Sequence, residues 1–227
     1  MKRTVSWSHE ISDEKEIHDS LLDLSEDDNI EYNERLKNEV KTLANMASIS
    51  RNNSLEKLKV VLDLDQTLIY SSIDCLDSYD FTIPNRIGNG RGQIYVVKRP
   101  NLDEFLQFCQ YKFETYIFSA GTEQYVNDIV DQIDRYRNIF KSVLAKNKCT
   151  LSNGRYVKNL NMLTTNLQRV VIIDDIRDSF VLQPYNGILI MPFTGDSSDD
   201  GLDRMMPILE ELSKTTDVRT RIAELST

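Results

Sequence analysis

Residues 60–68 read VVLDLDQTL and place two aspartates one residue apart, Asp63 and Asp65, with Thr67 just behind them. Val60, Val61 and Leu62 lead into the pair. An uninterrupted apolar run of this kind predicts a strand buried on both faces, in the middle of a parallel sheet. Carboxylates left inside such a sheet would lose several kcal/mol of hydration, so they must emerge at the strand's carboxyl end. That end is the edge where open α/β sheets bind ligands. There a carboxylate pair can hold a cation and divide a nucleophilic task from an acid/base task. A second apolar run, Val170, Val171, Ile172 and Ile173, delivers Asp174 and Asp175 in the same way.

Further reactive groups lie between the two runs. Residues 115–119 (TYIFS) predict another buried strand, ending at Ser119-Ala120-Gly121 before a helix capped by Thr122. A hydroxyl and free backbone N–H groups at such a junction can hold a phosphate, and serine at a strand end is also ordinary turn chemistry. Lys146, Lys148, Arg155 and Lys158 crowd into KNKCTLSNGRYVK. They form either a solvated basic loop or a set of cations that faces the carboxylates and neutralises a bound anion. Cys149 and Arg155 satisfy the C-x5-R spacing of cysteine-dependent phosphatases, but the loop between them lacks the glycine-rich interior that wraps phosphate with N–H groups. His9 and His18, the two histidines, lie far from all of these residues, against a histidine-based triad or zinc site.

Alternating strands and helices must position these groups. Pro100 is expected at the first turn of a helix whose apolar residues are Leu102, Phe105, Leu106 and Cys109. Val126, Ile129, Val130 and Ile133 mark the inner face of the helix after Ser119. Residues 142–145 and 187–190 are shorter strands. Leu202, Met205, Leu209 and Leu212 outline a closing helix that Pro207 should bend or split. Asp217 should cap a last helix. Phe81 and Ile83, then Ile94, Val96 and Val97, alternate on either side of the glycine cluster at 88–92, predicting a short β-hairpin flap after the first strand. It is too small for a lid domain, and an open site admits side chains of large substrates. The fold class is therefore α/β, a doubly wound parallel sheet. Right-handed crossovers then bring Asp63, Asp65, Ser119, Asp174 and Asp175 to one edge.

Residues 58–227 read as this domain, and residues 1–57 as an acidic, serine-rich, flexible extension. A short amphipathic helix is expected over 31–47, through Leu36, Val40, Leu43 and Ala47. The extension offers serines for phosphorylation and Leu21, Leu22 and Leu24 for docking a partner. The formal net charge of -9 argues against a direct nucleic-acid or anionic-membrane surface. No stretch approaches the roughly 18 apolar residues of a membrane span. Three cysteines without a CxxC pair fit a reducing compartment, hence an intracellular protein, nuclear or cytoplasmic.

The stretches VVLDLDQTLIYSS, IYVVKRPNLDEFLQF, TYIFSAGTEQY, GRYVKNL and VVIIDD, in this order across residues 58–225, resemble the catalytic domain of the haloacid dehalogenase superfamily, in its small C-terminal-domain phosphatase branch. The resemblance implies a magnesium-dependent phosphoprotein phosphatase working through an aspartyl-phosphate. By position, Asp63 corresponds to the nucleophile and a Mg2+ ligand. Asp65 corresponds to the general acid/base, with its carbonyl on the metal. Thr67, Ser119 and Lys158 correspond to phosphate-binding positions, and Asp174 and Asp175 to the acidic pair on the metal. Relatives more often carry threonine at Ser119, asparagine at Asp175 and arginine at Lys146. The extra carboxylate adds charge at the metal, and lysine gives up arginine's planar fork for phosphate, so Lys146 is a candidate substrate contact that bears on substrate choice.

Three function classes follow. The first is a phosphoserine/phosphothreonine protein phosphatase, for which the heptad tail of RNA polymerase II is the family's best-known substrate. The second is a phosphatase of small-molecule esters, disfavoured by the short flap. The third is a catalytically inactive scaffold on the same fold, disfavoured because every reactive group is present.

Overall fold

The computed structural model describes residues 55–86 and 92–225, together with Arg35, Lys37, Asn38 and Lys41, which are helical and exposed. The apolar positions of the helix expected over 31–47, the leucines and serines assigned to the extension, and the flap tip at 87–91 lie outside the described residues.

Strand β1 (Lys59–Leu62) is the centre of a five-stranded parallel sheet. Its neighbours are β5 (Glu114–Phe118) and β9 (Val170–Asp174). The outer strands are β6 (Phe140–Leu144) beside β5 and β10 (Gly187–Leu189) beside β9. Val60, Val61 and Leu62 are fully buried, as a strand with both faces covered requires. In the register, Leu62 stands opposite Ile117 on one side and Ile173 on the other. The residues that follow, Asp63, Phe118 and Asp174, therefore arrive together at the carboxyl edge. Asp63 donates its N–H to Ile173 O at 3.0 Å, so the sheet's hydrogen bonding reaches the first aspartate.

The two faces are covered differently. Val60, Leu62, Ile117, Val171 and Ile173 pack with the apolar stripes of α1 (Leu102–Lys112), α2 (Glu123–Ile133), α3 (Gly201–Ser213) and α4 (Val218–Leu225). Val61, Val170 and Ile172 pack with Leu160 and Phe180, which come from short 3-10 turns. The connections from β1 to β5 and from β5 to β6 run one way along the sheet. The connection from β6 to β9 runs back, and a right-handed crossover then puts it on the opposite face. Residues 145–169 carry no long helical stripe, so that face is covered by turns and a hairpin.

The flap is a three-stranded antiparallel sheet in the order β2 (Ile69–Ser72), β4 (Gln93–Lys98), β3 (Phe81–Pro84). The expected β3–β4 hairpin is present, and β2 adds a strand that the polar sequence IYSS did not signal. The expected basic loop folds in part into a second hairpin, β7 (Thr150–Ser152) and β8 (Arg155–Val157). Its turn residues, Asn153 and Gly154, both have positive φ, 51° and 78°. Asn-Gly is the pair that a two-residue turn of this hand demands.

Two helix starts and one helix interior depart from expectation. Helix α1 begins after Pro100, because Asn101 is left-handed at φ 60°, a conformation asparagine tolerates, and Leu102 N–H closes a turn on Arg99 O at 3.1 Å. Thr122 precedes α2, but its side chain makes no capping bond; its carbonyl accepts Val126 N–H at 2.9 Å. Pro207 lies inside α3 without splitting it. Proline removes one hydrogen bond there, while Leu202, Met205, Leu209 and Leu212, all buried, hold both halves against the core. Asp217 does cap α4, accepting Arg219 N–H at 3.0 Å.

Arg99 ties these parts together. Only 1% exposed, it donates to Thr67 O at 3.0 Å and to Met191 O at 2.9 Å, and grips Asp199 through Nε and Nη2 at 2.6 and 2.8 Å. The loop after β1, the segment after β10 and the start of α3 thus share one guanidinium. Arg99→Ala leaves Asp199 and two carbonyls uncompensated. It is expected to lower the unfolding free energy by about 3 kcal/mol in urea titration, whereas a change below about 1 kcal/mol would mean that water replaces the guanidinium.

Candidate functional site

Lys158 follows β8 and is held by its own N–H on Ser179 O at 2.6 Å. Its ammonium bonds Asp63 Oδ1 and, at 2.6 Å, Asp174 Oδ2. The three side chains are 2%, 9% and 1% exposed. Burial pulls the Lys158 ammonium down, but the charges of Asp63 and Asp174 outweigh it and leave the pKa raised. Asp174 accepts Ile176 N–H at 2.8 Å through its other oxygen. Burial pushes Asp174 up to about 6; the Lys158 charge opposes the shift and Asp63 reinforces it. Asp175 is also raised, first by burial and then by Asp63.

Asp63, Asp174 and Asp175 each offer one carboxylate oxygen, and these atoms lie within 4.8 Å of one another. A single ammonium cannot balance three converging carboxylates, and a hard divalent cation with oxygen ligands suits both the charge and the donor set. The residues therefore fit a metal ion.

Asp65 leaves the strand through a local twist. Gln66 is left-handed at φ 58°, with its N–H on Ile69 O and its carbonyl accepting Phe193 N–H, both at 2.7 Å. The Asp65 carboxylate accepts from the hydroxyls of Tyr125 and, at 3.4 Å, Ser71, which are themselves 2.9 Å apart. Loss of water pushes Asp65 up to about 6; the Tyr125 hydrogen bond opposes this and the Asp63 charge adds to it. Asp65 is thus a carboxyl raised toward its neutral form beside Asp63, the range in which a carboxyl can exchange a proton.

Thr67 is fully buried, and its Oγ1 has no hydrogen-bond partner. Ser119 is 1% exposed, donates its N–H to Leu144 O and accepts Gly121 N–H at 3.0 Å on its hydroxyl. Gly121 is required there, because a Cβ would lie 2.8 Å from the Tyr125 ring and 3.2 Å from Ser119 Oγ. Among the expected cations Lys158 alone sits within the carboxylates. Lys146 is exposed, 4.6 Å over the Tyr156 ring, and Arg155 pairs with Asp178. The C-x5-R alternative loses its basis, since Arg155 faces solvent and burial pushes the Cys149 thiol up, away from the thiolate.

Tyr125, Ser71 and Arg99 escaped the sequence reading. Tyr125 lies 60 residues from Asp65, so only the fold joins them. The available signal was a polar-tipped aromatic in the first turn of the helix after Ser119. Beside Asp65 opens a cleft of about 590 Å³, lined by the flap, the 120–122 junction, α2 and Lys146.

These features define an α/β domain whose sheet edge gathers buried acids around a lysine. The profile of the NLI interacting factor-like phosphatases matches residues 58–219, and the chain belongs to that family. It is 36% identical over 169 residues to carboxy-terminal domain RNA polymerase II polypeptide A small phosphatase 2 of Mus musculus, covering 74% of this chain and 62% of that protein. Small phosphatase 1 of Homo sapiens is 37% identical over 163 residues, covering 72% and 62%. Phosphatase Herzog of Drosophila melanogaster is 35% identical over 159 residues, covering 70% and 45%. The chain thus spans about three fifths of the first two relatives. The solved structure of the fission yeast RNA polymerase II CTD phosphatase Fcp1 bound to beryllium fluoride superposes with a TM-score of 0.52 at 20% identity, covering 79% of this chain and 57% of that one, which shows a shared fold.

A cation bound only by the folded state must raise stability, by about 2.7 kcal/mol at a hundred times its dissociation constant. Thermal unfolding should therefore shift upward with millimolar divalent cation in the native protein and not in Asp174→Asn. Equal shifts in both would place the cation elsewhere.

Proposed function

We propose that residues 58–227 form a magnesium-dependent phosphoprotein phosphatase unit that hydrolyses phosphoserine and phosphothreonine through an aspartyl-phosphate on Asp63. The carrying observation is the buried Asp63–Lys158–Asp174 arrangement with the raised carboxyl of Asp65 two residues from Asp63. Asp63, Asp174, Asp175 and the Asp65 carbonyl would hold Mg2+, which supplies charge neutralisation for a phosphate dianion approaching carboxylates. Lys158, bonded to Asp63, would offer its ammonium to the phosphate. Ser119 and Thr67 would offer their hydroxyls to the phosphate. Asp63 attacks phosphorus and the ester P–O bond breaks as Asp65 gives its proton to the leaving alkoxide. Asp65, now ionised, takes a proton from the water that cleaves the aspartyl-phosphate, releasing phosphate and restoring both carboxyls.

The relatives' names connect the family with the C-terminal domain of RNA polymerase II, so phosphorylated heptad peptides are the first substrates to test. The open cleft beside Asp65 supports a protein side chain over a sequestered metabolite. The extension before residue 58 stands in this proposal as a segment open to phosphorylation or partner docking.

With p-nitrophenyl phosphate and Mg2+, Asp63→Asn is expected to abolish turnover without unfolding the protein, and Cys149→Ser to retain it. Near-native turnover by folded Asp63→Asn would sink the mechanism. Tyr125→Phe removes the hydroxyl that orients Asp65. It should lower kcat on phosphoserine peptides, whose alkoxide needs the proton, about tenfold more than kcat on p-nitrophenyl phosphate, whose leaving group does not. Equal losses on the two substrates would assign Tyr125 to packing alone.

A further inference from the structure

The cleft holds two cations that the phosphoryl-transfer chemistry leaves unused. Arg86 follows β3 in the flap and Lys146 follows β6 in the main sheet, and both line the same cleft as Asp65. In a chain with 36 acidic and 27 basic side chains, the cleft sets these two cations against two acids, Asp65 and Asp128, and so departs from the overall negative balance.

Each cation keeps donors to spare. Arg86 is 55% exposed and is anchored at one point, from Nε to Asp128 Oδ2 at 3.2 Å. The other oxygen of Asp128 already accepts from Gln124 Nε2 at 2.9 Å, so it does not complete a fork with Arg86. The two terminal nitrogens of Arg86 keep the geometry that grips a carboxylate or phosphate with parallel bonds. Among the described residues Lys146 has no carboxylate partner, and its ammonium rests over the Tyr156 ring at 4.6 Å. Ile73, Pro84 and Ile94 supply apolar wall in the same cleft.

We propose that Arg86 and Lys146 form an anion subsite that reads an acidic or phosphorylated residue beside the scissile phosphoresidue, so that the preferred substrates are phosphoproteins with acidic flanks. This rests on the phosphatase reading of the same cleft. Asp128 acts as the tether that aims Arg86, and the chain's overall negative charge makes the local pair matter, since acidic peptides are repelled elsewhere on the surface.

The test is binding rather than turnover. Fluorescence anisotropy on the full chain carrying Asp63→Asn would compare phosphoserine peptides flanked by alanines, glutamates, lysines or a second phosphoserine. The glutamate peptide should bind about fivefold tighter than the alanine peptide, as one or two partly exposed ion pairs allow, with the doubly phosphorylated peptide tighter still and the lysine peptide weakest. The glutamate preference should fall in Arg86→Gln and in Lys146→Gln and vanish in the double variant, with alanine-peptide affinity as the internal reference. Equal affinity for glutamate and alanine peptides, a preference that survives the double variant, or binding of no peptide overturns the proposal. Turnover of the same peptides by the native protein is scored separately: the preference without turnover supports the subsite and counts against the catalytic reading.

Discussion

An ammonium enclosed between two carboxylates sets the terms for the rest of this structure. Lys158 is 2% exposed and touches both Asp63 and Asp174, and none of the three charges is tolerable there alone. Asp63 comes from β1, Asp174 from β9 and Lys158 from the segment after β8, so the cluster exists only when the sheet is closed and the β7–β8 hairpin is seated. The same contact that neutralises Lys158 leaves the acids in excess, with Asp175 and Asp65 close by. That excess is what a divalent cation or an incoming phosphate would exploit.

Around the cluster the fold spends rigid elements on position. The parallel sheet delivers the acids in register, and Arg99 holds the loop that carries Asp65 to the segment after β10 and to α3. The flap carries Ser71 to Asp65, and α2 carries Tyr125 to the same carboxylate. Asp65 is therefore steered by two hydroxyls from different layers, a geometry in keeping with the proposed acid/base role.

The parts legible in the sequence were those with a local cause. Val60–Leu62 and residues 170–173 are apolar without interruption, because strands buried on both faces must be, and both end in acids that the sheet expels to its edge. The stripes of α1, α2 and α3 were legible for the same reason. Arg99 and Tyr125 were not, since their partners lie 100 and 60 residues away and nothing local marks them. The β7–β8 hairpin was legible in Asn153-Gly154 but was masked by the lysines and arginine on either side, which invite a reading as a solvated loop. Those cations then separated: Lys158 was drawn among the acids, whereas Arg155 and Lys146 remained outside. At Pro207 the local signal allowed a bend or a split, and the packing on both sides keeps one continuous helix.

The claim at the centre of this account is that Asp63 becomes covalently phosphorylated. Rapid acid quench of the native protein during turnover of a phosphopeptide, followed by borohydride reduction and mass spectrometry, reads this directly. The account predicts reductive conversion of Asp63 to homoserine, dependent on Mg2+ and on substrate and absent after hydroxylamine treatment. Turnover with no label on Asp63, or a phosphate adduct on Cys149, would contradict it.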